Sequence, residues 1–170
     1  LLTRYPDARF VVPLVTRETR DRFQTVLWRE AEAIVPRVQL LFGHADFALR
    51  AADVALVASG TATLEAAMLG CPQVVSYRVS KTTAAIVMRK LTSPYVSLPN
   101  ILANDWCVPE LLQDAATPEA LESALTGLIE QPRLRAETQR AYAQMRAALR
   151  PPASAAGDPL ALAVLAQMRR

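Results

Sequence analysis

Asp53-Val54-Ala55-Leu56-Val57-Ala58 is an apolar run. Ser59-Gly60-Thr61 follows as a turn of small residues. Ala62-Thr63-Leu64-Glu65-Ala66-Ala67-Met68-Leu69 has a helical pattern, closed by Gly70 with Pro72 just beyond. A glycine after the last helical residue and a proline soon after it are ordinary helix stop signals. The stretch therefore reads as strand, tight turn and helix. Repetition of that unit decides the fold.

Working outward, the same alternation recurs on both sides. Upstream, Phe10-Val11-Val12-Pro13-Leu14-Val15 and Val38-Gln39-Leu40-Leu41-Phe42 read as strands, the second closed by Gly43. Between them, residues 17–33 carry helix-period apolar positions that include Phe23, Val26 and Leu27; after the second strand, residues 46–52 predict a short helix. Downstream, Gln73-Val74-Val75-Ser76-Tyr77 predicts a fourth strand, residues 82–91 a helix and Tyr95-Val96-Ser97-Leu98 a fifth strand. Continuous apolar strands are those buried on both faces, as in parallel sheets. Strand–helix alternation implies parallel pairing through right-handed crossovers. The expected fold is α/β: a Rossmann-like open parallel sheet flanked by helices.

Ligands of such sheets sit beyond the carboxyl ends of the strands. That directs attention to the loops around Ser59, Arg78 and Asn100. The first amides of a helix lack intrahelical partners, and with the helix dipole they form an anion site. Gly60 permits close backbone approach. Ser59, Thr61 and Thr63 offer hydroxyl donors to phosphate oxygens. Glu65 shares a helix face with Thr61 and can accept from a ribose diol. The plainer reading makes Ser59 and Thr61 helix caps and Glu65 a solvated acid. Neither a G-x-G-x-x-G nor a Walker A pattern is present. Asn100 suits a uracil edge, a phosphate or a sugar hydroxyl, or else forms a turn after Pro99. Residues 108–113 predict a short helix with Glu110 and Gln113 on one face.

After Asn100 the pattern is helical. Thr117-Pro118-Glu119 places an N-cap before a proline at the first helical position, opening a helix to about Glu130. Pro132 starts another that reaches Leu149. Pro151-Pro152-Ala153-Ser154-Ala155-Ala156-Gly157 has linker composition, and residues 159–168 predict a small apolar helix. The expected organisation is a ligand-binding domain over residues 1–150, then a linker and crossover helix over 151–170.

The 170 residues are 52% hydrophobic, enough for one domain with a sizeable core. No apolar run reaches the roughly 20 residues that span a bilayer. Cys71 and Cys107 have no partner at metal-ligand spacing and are expected as reduced thiols in a cytosolic protein. Net charge is +3, with basic residues scattered and no nucleic-acid module signature, so nucleic acid is not an expected partner. His44, the single histidine, reads as a loop residue.

Four ordered motifs carry a resemblance: Ser59-Gly60-Thr61-Ala62-Thr63-Leu64-Glu65, Val75-Ser76-Tyr77-Arg78-Val79-Ser80, Pro94-Tyr95-Val96-Ser97-Leu98-Pro99-Asn100 and Val108-Pro109-Glu110-Leu111-Leu112-Gln113. Together with Tyr5-Pro6-Asp7 and the strand that follows, they resemble the lipid A disaccharide synthase family over residues 1–130. The resemblance implies the C-terminal domain of a GT-B glycosyltransferase. Such enzymes join UDP-2,3-diacylglucosamine to 2,3-diacylglucosamine 1-phosphate, with inversion, to give a β-1,6-linked disaccharide and UDP. It also implies action at the cytoplasmic face of the bacterial inner membrane as a peripheral protein, with no metal and no cofactor.

By this resemblance Ser59, Gly60 and Thr61 serve the diphosphate, Glu65 the ribose and Asn100 the nucleotide-sugar. From the residues themselves, Thr63, Arg78 and Glu110 join them as expected UDP-sugar-binding residues. The N-terminal acceptor domain and its general base are expected outside this chain, so the chain alone is expected to be inactive. A homodimer through the C-terminal helix is a further expectation. Other readings keep the Glu65 site: a GT-B UDP-GlcNAc 2-epimerase, a peptidoglycan glucosaminyltransferase, or a non-catalytic nucleotide-binding module.

Overall fold

The computed structural model describes residues 1–58, 60–80 and 93–150. The expected helix over 82–91, the linker and terminal helix over 151–170, and Ser59 lie outside the described residues. Five parallel strands form two groups. In the first, β1 (Phe10–Leu14) pairs with β2 (Val38–Phe42), with Phe10 opposite Val38. In the second, β4 (Gln73–Tyr77) lies between β3 (Ala55–Ala58) and β5 (Glu110–Leu112), with Val75 beside Val57 and Glu110.

The connections are helical, as parallel pairing requires. Helix α1 (Arg17–Ala31) joins β1 to β2, continuing into a 3-10 turn over Glu32–Arg37. It opens on a Thr16 cap that accepts from the Thr19 amide. Helix α2 (Ala45–Ala51) leads to β3, and α3 (Thr61–Leu69) joins β3 to β4. Gly70 ends α3 at φ +77, a left-handed conformation that favours glycine. Beyond β4 come α4 (Leu98–Ala103), β5, α5 (Pro118–Glu130) and α6 (Pro132–Leu149).

Strand β4 organises the core because both its faces are covered. Val75 packs with Ala67 of α3 and with Tyr142 and Met145 of α6. Val74, on the other face, packs with Leu125 and Leu128 of α5. Burying a side chain of this kind is worth about 1.5–3 kcal/mol. The alternation of facing explains why this strand reads as an unbroken apolar run.

Two expectations fail. Residues 95–98 are not a strand: 95–97 are irregular and Leu98 begins α4. Pro99 has no N–H for a sheet ladder but is tolerated in a first helical turn. Residues 108–113 are not a helix either. Glu110–Leu112 pair with the open edge of β4, and Gln113–Ala115 form a 3-10 turn. The fifth strand thus lies about fifteen residues later than its apolar pattern suggests. Among the described residues, no helix is long and apolar enough to cross a membrane.

Candidate functional site

The turn between β3 and α3 stands at the carboxyl end of the three-stranded sheet β3-β4-β5. Gly60 occupies the N-cap at φ +140 and ψ −163, a region open in practice only to glycine. As a cap it contributes no side-chain oxygen. Thr61 and Glu65 are both exposed, four residues apart on α3, so they share a solvent-facing side next to the helix start. The shared face follows the helix period read from the sequence.

Thr63 is different. It is fully buried, and its hydroxyl donates to the Gly60 carbonyl at 2.7 Å while its amide donates to the same oxygen at 3.1 Å. The hydroxyl also accepts from the Leu98 amide at 3.4 Å. Its own carbonyl accepts from Gln73 Nε2 at 2.8 Å, and that amide donates onward to the Tyr142 hydroxyl at 3.1 Å. Instead of presenting a free donor, Thr63 ties the turn to its surroundings.

Asn100 and Glu110 likewise have their polar atoms engaged inside the protein. Asn100 is fully buried. Its Nδ2 donates to the Val108 carbonyl at 2.9 Å and to Glu110 Oε1 at 2.8 Å. Its Oδ1 accepts from the amides of Cys107 and Val108, each at 2.9 Å, and from the Cys107 thiol at 3.2 Å. The Glu110 carboxylate accepts from the amides of Val96 and Ser97 and, at 2.7 Å, from the Ser97 hydroxyl. Glu110 therefore closes the first turn of α4 from β5, and does not share a helix face with Gln113.

Arg78 follows β4 and is exposed, with Asp114 Oδ1 at 4.0 Å. An exposed pair at that separation restrains the guanidinium little. Gln113 holds the adjoining backbone by accepting from the Val79 amide at 3.2 Å, in a left-handed conformation at φ +52. Sequence reasoning passed over Gln113 as a supporting residue. It also passed over Gln73, whose amide reaches from β4 to α3. No residue-type signal marks either. His44 caps α2 at φ +57 with its ring edge-on to Phe47, consistent with a loop residue.

Burial pushes both thiols up to about 11, so neither is a nucleophile at neutral pH. No group of His, Cys, Asp or Glu that could hold a metal occurs among the described residues. Tyr95 and Trp106 pack edge-on, with ring centroids 5.0 Å apart.

The lipid-A-disaccharide synthetase family model matches residues 1–164. The chain belongs to this family. It is 46% identical over 150 residues to the lipid-A-disaccharide synthase of Chromobacterium violaceum, covering 88% of the chain and 39% of that protein. It is 48% identical over 145 residues to the Dechloromonas aromatica synthase, covering 85% and 38% respectively. Identity to the Aromatoleum aromaticum synthase is 57% over 125 residues, with 74% and 32% covered. The chain thus spans a third to two fifths of the length of these relatives. All of the motifs discussed above fall inside the family match.

Proposed function

We propose that this chain supplies the nucleotide-sugar half-site of a lipid A disaccharide synthase. The donor is UDP-2,3-diacylglucosamine, the acceptor is 2,3-diacylglucosamine 1-phosphate, and the products are the β-1,6-linked disaccharide and UDP. The observation that carries the reading is the exposed start of α3. Gly60 opens the backbone there, and Thr61 and Glu65 face solvent on one side. The diphosphate lies against the first amides of α3 and the Ser59–Thr61 hydroxyls, and Glu65 accepts from the ribose. Arg78, exposed at the end of β4, is available to the charge that develops on the leaving diphosphate. Preorganised amides and cations of this kind stabilise a leaving group without reorganisation.

Inverting transfer also needs a base for the acceptor hydroxyl. The reading gives the one carboxylate beside the turn, Glu65, to the ribose, and places the base in a preceding domain. Family membership supports this reading over a 2-epimerase or a peptidoglycan glucosaminyltransferase. A peripheral location at the cytoplasmic face of the inner membrane, and a dimer through the terminal helix, belong to the same proposal.

Calorimetry of the chain with UDP and UDP-GlcNAc, followed by a disaccharide-synthesis assay, tests it. Weak saturable UDP binding without turnover is expected. Turnover by the 170 residues would contradict the split of the site between two domains.

A further inference from the structure

Three residues expected from the sequence to touch ligand are occupied elsewhere, and their bonds join into one assembly. Glu110 on β5 holds the amides of Val96 and Ser97 at 3.0 and 2.8 Å. Asn100 on α4 bonds Glu110 on one side and the Cys107–Val108 backbone on the other. Leu98, between them, donates to the Thr63 hydroxyl, and that hydroxyl donates to the Gly60 carbonyl. The chain of bonds runs from β5 through the start of α4 to the N-cap of α3. Every polar atom of the Asn100 side chain is used, and Asn100 and Thr63 are both fully buried. For Asn100 to bind a ligand, it would have to break bonds whose partners are then left buried and unpaired, at a cost larger than the bond gained.

We propose that Glu110, Asn100 and Thr63 are positioning residues. They latch the 96–98 segment against the Gly60 turn, and so fix the turn's geometry for the nucleotide diphosphate without contacting it. This rests on the reading of the turn as a diphosphate site. It assigns Thr63, Asn100 and Glu110 a role different from direct contact, and it leaves Thr61 and Glu65 as the exposed contact groups. Glu110 suits the task because a carboxylate only accepts, and the groups around it are donors: two amides, a hydroxyl and a side-chain amide.

The test uses Glu110→Gln, which keeps the shape but puts an NH2 where an oxygen accepted, and Thr63→Val, which keeps the volume and removes the hydroxyl. Amide hydrogen exchange of the ligand-free chain and UDP affinity are measured together, at a temperature where each variant is fully folded. In Glu110→Gln, exchange at Val96 and Ser97 should accelerate, and UDP affinity should fall about tenfold, the equivalent of one lost hydrogen bond. Thr63→Val should weaken UDP to a similar degree, with Thr63→Ser restoring affinity to within about twofold of the original, since serine keeps the hydroxyl.

Loss of affinity in Glu110→Gln with unchanged exchange at Val96 and Ser97 would mean direct contact with ligand and overturn the latch. Accelerated exchange with unchanged affinity would mean a support with no effect on the site, and overturn it equally. If Thr63→Val fails to fold, Glu110→Gln decides alone. Absence of UDP binding by the unaltered chain overturns the diphosphate reading itself, and is distinguished from the other outcomes because it precedes any substitution.

Discussion

Asn100 Nδ2 lies 2.8 Å from Glu110 Oε1, so a buried side-chain amide donates to a carboxylate across the gap between α4 and β5. The direction of that bond is fixed, because Asn100 Oδ1 is already committed to the Cys107 and Val108 amides. Replacing Asn100 with Asp reverses the donor into an acceptor and sets two carboxylates against each other. At neutral pH Asn100→Asp should lose roughly 1–3 kcal/mol of stability. The like-charge pair raises the pKa of one carboxyl in the folded state above its unfolded value. Stability should therefore recover as pH falls through that raised pKa, since protonation restores a donor. Urea midpoints at pH 7 and pH 5 check this: a variant equally destabilised at both would exclude the carboxylate pairing as the cause.

Glu65→Ala should leave the fold intact and weaken the nucleotide-sugar. Its side chain is exposed on α3, and surface substitutions of this kind usually fall within about 0.5 kcal/mol in stability. A charge-assisted bond to a ribose hydroxyl is worth roughly 1.5–3 kcal/mol, so KM for the donor should rise accordingly in the full enzyme. Unchanged KM and kcat would show Glu65 to be a solvated acid.

Gly60→Ala separates backbone conformation from steric fit. A Cβ at this position meets nothing within 4 Å, so no clash opposes it. The φ of +140 does, at a cost of roughly 1–3 kcal/mol in that region of backbone space. Thermal unfolding of Gly60→Ala should show the loss, and UDP affinity should fall as the turn relaxes toward an allowed conformation. An unaffected melting temperature would mean that the turn is not held at this φ.

How far the sequence alone carried the site depends on which residues are considered. Gly60, Thr61 and Glu65 were legible because a strand, a small-residue turn and a helix with a glycine stop are local signals, and position on the helix then follows from its period. Thr63, Asn100 and Glu110 were recognised as notable, but their function is set by tertiary partners. Nothing local tells that Thr63 turns its hydroxyl back to Gly60, or that Asn100 is enclosed by Val108 and Glu110. Strands β1 to β4 were readable as apolar runs. Strand β5 was not: its three residues are strand because they pair with the edge of β4, while Tyr95-Val96-Ser97 has the composition of a strand and pairs with none.

Alkaline conditions should destabilise the fold through its buried thiol, Cys71. Burial pushes the Cys71 thiol up to about 11 in the folded chain, above its ordinary value. A group with a raised folded pKa contributes stability that is complete below its unfolded pKa and is lost as pH rises through the folded one. Stability should thus decline between about pH 9 and pH 11, and Cys71→Ala should flatten that decline. Melting temperatures at pH 7.5 and 10.5 for both proteins measure it. Equal slopes would assign the alkaline loss to other groups.

The central claim is that the turn at the start of α3 receives a nucleotide diphosphate, and an amide-resolved NMR titration of the chain with UDP tests it most directly. The account predicts saturable shifts centred on the amides of Gly60, Thr61 and Ala62, with Glu65 following and uridine alone producing far smaller changes at the turn. Saturable shifts confined to another part of the chain, or no shifts in a chain whose spectrum shows it folded, would contradict it.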